Sequence, residues 1–366
     1  METHDSRFVP PYCPRRSCSH HRQPTGSWWA RDGHFTRLAE PRRIRRFRCK
    51  DCRRSFSTQT FDTTYWLKRP DLQRTIFLRL VECSGFRQVA RGLGVVHSTV
   101  LRQAERLGRH CLLFHWSRRP AVLPAENLVL DGFQTFEYSQ YWPCDFNLLL
   151  GQDSHFFHGF TDAELRRSGR MKPRQKRRRQ SLESALGRPD PKATELEVAE
   201  LLRMLVPEGS CATVCSDEHA AYPRALKRLE GREIQQRRTS SKAARTCGNP
   251  LWPANLVDLL IRHSGGNQKR ETIAFSKRRQ SAAERLWAFL AWRNYLEPFS
   301  ERDPRGPTAA MKAGVVDRPL TLGDLFHRRL VPSLIELPKR LYRYYVRDID
   351  TRQIPNGRRH RLTYAF

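Results

Sequence analysis

Two close pairs of cysteines near the N-terminus restrict how the first part of the chain can fold. Cys13 and Cys18 lie in CPRRSC, and Cys49 and Cys52 lie in FRCKDCRRSFS. About thirty residues separate the pairs, and one pair per knuckle suits a tetrahedral four-cysteine Zn2+ site. Residues 1–62 then read as a small module held by its metal rather than by a core, as zinc ribbons are. His20 and His21 follow Cys18 closely, so a ligand set in which a His replaces one Cys stays open. The plain alternative is four unrelated buried thiols, which leaves the metal-ligand spacing of both pairs unexplained.

Charge narrows the partner. The chain carries 67 Lys and Arg against 37 Asp and Glu, a formal net charge of +30. Such an excess points to a polyanion, most simply nucleic acid. A membrane surface is the rival polyanion. However, no run of about 18 apolar residues exists, and METHDSRFVPPYC has no apolar signal core. With 39% hydrophobic residues, 8 Trp and 19 Phe, the chain has material for real cores. Its 366 residues suggest two or three domains. The other cysteines stand singly (Cys83, Cys111, Cys144, Cys247) or as Cys211 and Cys215 in one strand-like run. Without a secretion signal they read as reduced thiols of a cytoplasmic, nucleoid-associated protein.

Residues 63–120 change character. Leu72, Ile76, Phe77 and Leu80 recur at helical spacing. Further on, Gly92 and Gly94 fit a tight turn, and Ser98 or Thr99 fits the cap of a helix with Leu101, Ala104, Leu107 and Cys111 on one face. A short helix, a Gly turn and a Ser/Thr-capped helix form the helix-turn-helix pattern, whose second helix enters the major groove. An ordinary helical hairpin would show the same periodicity; the basic context favours DNA binding.

From residue 121 strand signals take over. ENLVLDGFQTF, FNLLLGQDS and FFHGF read as an antiparallel meander, with Asp131 toward the end of its first strand. The span 164–190 packs Arg166, Arg167, Arg170, Lys172, Arg174, Lys176, Arg177, Arg178 and Arg179 together. It reads as an inserted, mobile basic loop, either a solvated charge run or a clamp on backbone phosphate. A helix over 193–206 precedes the strand CATVCSDEH, which ends in Asp217, and NPLWPANLVDLLIRH begins a helix that carries Asp258. This order of strands and helices brings Asp131, Asp217 and Asp258 to one edge of a mixed sheet. Hard oxygen ligands of this kind suit a pair of Mg2+ (or Mn2+) ions.

These blocks together resemble a bacterial insertion-sequence transposase of the DDE type, over nearly the whole chain. The resemblance rests on CPRRSC, FRCKDCRRSFS, LVLDGFQTFEYSQYWPCDFNLLLG, VCSDEHAAYPRAL, NLVDLLIRH and RETIAFSKRRQ. The last two blocks are the most specific: Asn255, then Asp258, then Arg262 keep the family spacing, ahead of Arg270 and Phe275-Ser276-Lys277. The family usually has Glu where this chain has Asp258, one methylene shorter. Glu271 and Glu284 are fallback third acids, and Glu218 reads as a solvent residue.

The resemblance implies a multidomain α/β chain: a zinc ribbon (1–62), a helix-turn-helix domain (63–120), an RNase H-like mixed-sheet catalytic domain (121–300) with the basic insertion 164–190, and a basic C-terminal region (301–366). It implies catalytic acids Asp131, Asp217 and Asp258 holding Mg2+ or Mn2+, Zn2+ on Cys13, Cys18, Cys49 and Cys52, and cleavage followed by strand transfer without a covalent protein intermediate. Base reading falls to His97, Ser98, Thr99 and Arg102, and phosphate contact to Asn255, Arg262, Arg270 and Lys277. His219 either orients the attacking group, contacts phosphate or caps the next helix, and Trp252 is a candidate for base stacking. The partners are double-stranded DNA, at transposon ends and target, and further copies of the chain, at least a dimer on DNA. Three alternatives remain: a catalytically inactive DNA-binding regulator derived from such an enzyme, an RNase H-like nuclease that cuts without joining, and a polybasic RNA-binding protein, which leaves the order of the acids unexplained.

Overall fold

The fold is described from a computed structural model over residues 8–120 and 125–354; the end of the expected C-terminal region, 355–366, lies outside the described residues. After a single turn, α1 (Ser19–Arg22), the strands β1 (Trp29–Thr36), β2 (Arg43–Cys49) and β3 (Ser55–Ser57) form an antiparallel sheet in the order β1-β2-β3. This part has a core of its own, contrary to the expectation of a module held by metal alone. Tyr12, Trp28, Phe47, Phe56 and Phe61 cluster there, joined by Val331 from far downstream. The sheet is too small for an aliphatic layer, and rings fill the space: Phe56 stacks on Trp28 at 5.6 Å and on Phe47 at 5.8 Å between centroids.

Three helices follow: α2 (Gln73–Val81), α3 (Phe86–Gly92) and α4 (His97–Arg118). Leu72, Ile76, Phe77 and Leu80 are buried, as their spacing predicts. Gly94 turns the chain between α3 and α4 with φ +63°. The cap differs from expectation. Helix α4 begins at His97 with Val96 in the cap position and no side chain capping it, so Ser98 and Thr99 fall inside its first turn. At 22 residues α4 is about 33 Å long. His97 and Arg102 near its start are exposed, while His110, Cys111, Leu112, Leu113, Phe114 and His115 are all buried.

The second sheet is mixed and five-stranded. β4 (Leu128–Phe136), β5 (Pro143–Gly151) and β6 (Phe157–Glu164) form the expected antiparallel meander; β7 (Cys211–Ser216) runs parallel to β4, and β8 (Glu233–Arg238) parallel to β7, in the order β6-β5-β4-β7-β8. Between them come α5 (Pro173–Leu186), α6 (Ala193–Leu205) and α7 (Ala221–Leu226); after them come α8 (Trp252–Ser264), α9 (Arg279–Ala291), α10 (Ala309–Lys312), α11 (Leu322–Leu325) and α12 (Lys339–Tyr345). Side chains alternate across the sheet. Leu128, Leu130 and Leu149 pack with α6 and α7 on one face, whereas Val129, Phe133, Phe146, Leu148 and Leu150 share a core with α2, α4, α8 and α9 on the other.

The basic run is a correction: much of the span read as a loop is helix α5. Pro173 opens it, where a missing N–H costs nothing, and the Lys172 N–H donates to Gln175 Oε1 at 2.9 Å. Arg and Gln are good helix formers. Glu183 ties the helix down through Arg166 at 2.8 Å, Arg179 at 3.4 Å and Arg188 at 3.1 Å. Arg174, Lys176, Arg177 and Arg178 are left exposed on it.

The helices and the sheet are pressed together around α9. A methyl at Gly108 of α4 would fall 2.6 Å from the Glu284 carbonyl oxygen, so the two helices touch backbone to side-chain stem only because Gly108 has no side chain. The C-terminal part docks on this body. Buried Asp162 of β6 accepts from Tyr344 Oη and meets Arg340 at 2.5 Å and Arg279 at 2.6 Å. The Arg329 N–H donates to Phe61 O at 2.7 Å, which fastens the same segment to the first sheet. Among the described residues, no helix is long and apolar enough to cross a membrane.

Candidate functional site

Two clusters of chemistry-bearing side chains stand out. In the first, the sulfurs of Cys13, Cys18, Cys49 and Cys52 all lie within 4.8 Å of one another. Cys13 and Cys52 are 3.5 Å apart and Cys18 and Cys49 are 3.8 Å apart, with no disulfide formed. Four sulfurs about 2.3 Å from one Zn2+ sit about 3.8 Å from each other in a tetrahedron, so the donor set fits that ion. The alternative histidines are otherwise engaged. His21 donates from Nδ1 to Cys13 O at 2.7 Å and meets Ser333 Oγ through Nε2 at 3.0 Å, while His20 Nε2 meets Asp51 at 2.7 Å. The four-cysteine cluster on a short antiparallel sheet fits a zinc ribbon.

The second cluster lies at the end of the five-stranded sheet. Leu130 of β4 pairs with Ser216 of β7 in parallel register, so the residues that follow, Asp131 and Asp217, emerge side by side. Helix α8 lies across them. Spacings of three and four residues put Asn255, Asp258 and Arg262 on one stripe of α8, beside the stripe of buried Ala254, Val257 and Ile261. Asp131, Asp217, Asn255, Asp258, Arg262 and Arg270 all line one cavity of about 310 Å3. Sequence reasoning missed Arg245 and Asn249, which line it from the segment before α8. It also missed Asp145 of β5, which does not line the cavity but feels the charges of Asp131 and Asp217. Neither Glu271, which is exposed, nor Glu284 lines the cavity; Glu284 is buried against α4, paired with Arg347 at 2.7 Å.

The carboxylates here outnumber their partners. Asp131 accepts from the Gly132 N–H at 2.8 Å, and Asp217 accepts from the His219 N–H at 2.9 Å. Asp258 Oδ1 and Asp145 Oδ1 are shut off from solvent with no hydrogen-bond partner. Burial, with Asp217 adding to it, pushes Asp131 up to about 6. Burial and the charge of Asp131 push Asp258 up to about 8, against the pull of Arg262. Burial, Asp131 and Asp217 push Asp145 up to about 7. Asp162 shows the contrast: burial alone would raise it, yet Arg340 and Arg279 hold it down to about 2. A buried acid paired with Arg is structural; buried acids gathered without enough cations suit divalent ions.

This crowding sets a pH dependence. Acids raised in the folded state bind protons that the unfolded chain releases between about pH 4 and pH 8, so their contribution to stability falls as pH rises through that window. The metal-free protein is therefore expected to lose about 5 °C in Tm from pH 5.5 to pH 8, measured by circular dichroism in EDTA. Saturating Mg2+ or the Asp258→Asn substitution should flatten that fall, and a Tm that rises steadily to pH 8 in both proteins would count against the crowding.

The remaining candidates divide by exposure. His97 and Arg102 are exposed at the start of α4, with Ser98 and Thr99 half-buried beside them. Arg270 and Lys277 are exposed. Arg262 spends two donors on backbone, Nη1 to Gln268 O and Nη2 to Gln134 O, both at 3.0 Å, and lies over the Phe133 ring. Asn255 donates to Leu251 O at 3.0 Å. The Ala221 N–H donates to His219 Nδ1 at 3.3 Å, although Ala220 and not His219 holds the cap position of α7. Trp252 is half-buried. The loop after α8 is fixed to the helical part: Cys83 N–H donates to Ser264 O at 2.7 Å, and Arg285 Nη2 donates to Leu80 O and Ser84 O.

No protein-family model matches the chain. No curated protein matches it either. Among solved structures, a simian T-cell lymphotropic virus intasome in complex with the PP2A regulatory subunit B56 gamma is similar over 68% of this chain and 74% of that one, at 11% identity. The TM-score of that superposition is 0.25, too low to carry an argument about this chain.

Proposed function

We propose that this chain is a DDE-type transposase: it binds the ends of an insertion sequence, cleaves a phosphodiester there and transfers the freed strand to target DNA. One observation carries the reading. Three acids far apart in sequence, Asp131, Asp217 and Asp258, line one cavity together with Arg262 and Arg270 in a chain of net charge +30. In this reading the five-stranded sheet and its helices are an RNase H-like catalytic domain over 121–300. Residues 63–120 are a helix-turn-helix domain, residues 1–62 a zinc ribbon, and residues 301–366 a basic C-terminal region.

Asp131, Asp217 and Asp258 would hold Mg2+ or Mn2+, which supply an activated water and charge stabilisation at the phosphorus when bound. The chain's own groups do the rest. Asp131 is fixed by the Gly132 N–H and Asp217 by the His219 N–H, so both carboxylates keep one oxygen oriented before any ligand arrives. Arg262 holds α8 to β4 through Gln134 O and so sets how close Asp258 comes. Arg270 and Lys277 are free to meet backbone phosphate, which gives salt-sensitive affinity without sequence information. His97, Ser98, Thr99 and Arg102 would read base edges. The exposed cations of α5 add a phosphate-facing surface.

The test is incubation of the purified chain with DNA carrying its own element's ends. Nicked and strand-joined products are expected with Mg2+ or Mn2+ and not with EDTA. Cutting without joining would indicate a nuclease, and binding without cutting a regulator; either result overturns the transposase reading.

A further inference from the structure

The acid that no sequence motif marks is Asp145. It sits on β5 opposite Gln134 of β4, two residues along from Gly132. By the alternation of the strands, Asp145 and Gly132 face the α6 and α7 side, whereas Asp131 faces α8. A side chain on the far face would ordinarily be screened from Asp131 by the strand between them. Here the screen is missing. Gly132 has no side chain, and the Asp145 carboxylate leans diagonally across it: a methyl built on Gly132 would meet Asp145 Oδ2 at 2.9 Å. No Arg, Lys or His compensates Asp145. Its Oδ1 is buried and unpartnered; it feels the charges of Asp131 and Asp217, and its own charge is felt by Asp258 and Tyr222.

We infer that Asp145 is a fourth carboxylate of the candidate cation site, a positioning residue that supports divalent-ion binding from the opposite face of the sheet through the gap left by Gly132. The inference rests on the reading of the cavity as a divalent-cation site. A buried carboxylate without a hydrogen-bond donor costs stability unless a cation or proton answers it. Kept purely for structure, such a group would have a partner, as Asp162 has. Outer groups of this kind typically change metal affinity by about 10- to 100-fold.

The experiment measures Mn2+ binding by the loss of the free-ion electron paramagnetic resonance signal, and Tm in EDTA, for the full chain. Asp145→Asn is expected to weaken Mn2+ binding by about tenfold. The same substitution should raise Tm in EDTA, because it removes an unanswered charge while keeping the shape. Gly132→Ala keeps the carboxylate and pushes it aside, so it should also weaken Mn2+ binding. Unchanged Mn2+ affinity in both variants overturns the inference, and so does a lower Tm for Asp145→Asn with unchanged affinity, the signature of a merely structural acid. Asp131→Asn separates the two claims. If it binds Mn2+ as wild type does, the cavity is not the cation site, and the reading beneath falls with the inference. If it fails to bind while Asp145→Asn binds normally, only the role of Asp145 is lost.

Discussion

Asp131→Ala and Asp217→Ala should each lower the rate of end cleavage by about a thousand-fold, roughly 4 kcal/mol of transition-state stabilisation. Both side chains project from the end of the sheet at neighbouring positions, and both are oriented by a backbone N–H. Truncation removes a ligand oxygen without opening the core, since the buried neighbours Leu130, Phe133 and Cys215 are untouched. Binding to end DNA should stay within about threefold, because both substitutions leave the cations untouched and salt-dependent affinity follows the cations. Gel shifts and cleavage of the same labelled duplex measure the two quantities side by side. Asp258→Glu completes the set. Helix α8 already brings Asp258 close enough for Asp131 to be its leading charged neighbour. If the shorter acid is matched to this helix position, Glu should be slower, by about tenfold on cleavage. Faster cutting by Asp258→Glu would mean that the site had drifted from a longer ancestor.

Removing the N-terminal metal should have the largest effect on stability. The purified chain is expected to hold one Zn2+ per molecule, released and counted with a chromogenic chelator, and Cys49→Ser to hold none. Zinc sites of this type contribute on the order of 10 kcal/mol to the folding of their own module. The aromatic cluster around Phe47 and Phe56 would retain part of the collapse, but the four cysteines define where both knuckles turn. The loss should spread beyond the module, because Val331 packs in that cluster and the Arg329 N–H is bonded to Phe61 O. Limited proteolysis after chelation should thus cut near residues 326–336 as well as within 8–60. Cys49→Ser with wild-type Tm and an intact proteolytic pattern would sink the assignment.

Much of this was legible in the sequence, for reasons specific to each element. The cysteine pairs declare themselves by spacing. The meander and its helices follow from alternating and 3.6-residue patterns, and Asp258 is legible because Asn255 and Arg262 flank it at helical intervals. Asp145 was not legible. It is one acid in an apolar strand, and its approach to Asp131 depends on register with β4 and on the bare Gly132. Helix α5 was hidden because a dense run of like charges looks like solvated coil, and only the pairing of Glu183 with three arginines shows what holds it. The aromatic core of the first sheet was obscured because Val331 comes from the other end of the chain. The C-terminal segment carried no motif because its contacts, such as Arg340 with Asp162 and Arg347 with Glu284, join residues far apart in the chain.

Helix α4 has a last consequence. Near its start His97 and Arg102 are exposed, while its other end is locked in the core with α9, and the end of α8 is bonded to Cys83 near the α2–α3 turn. Among the described residues, these contacts join the surface proposed to read bases to the body that carries the acids proposed to cut. The molecule is then a ruler. The interval between recognised sequence and scissile bond is set by a rod of protein, so inserting two or three base pairs into an element end should leave it bound but uncut.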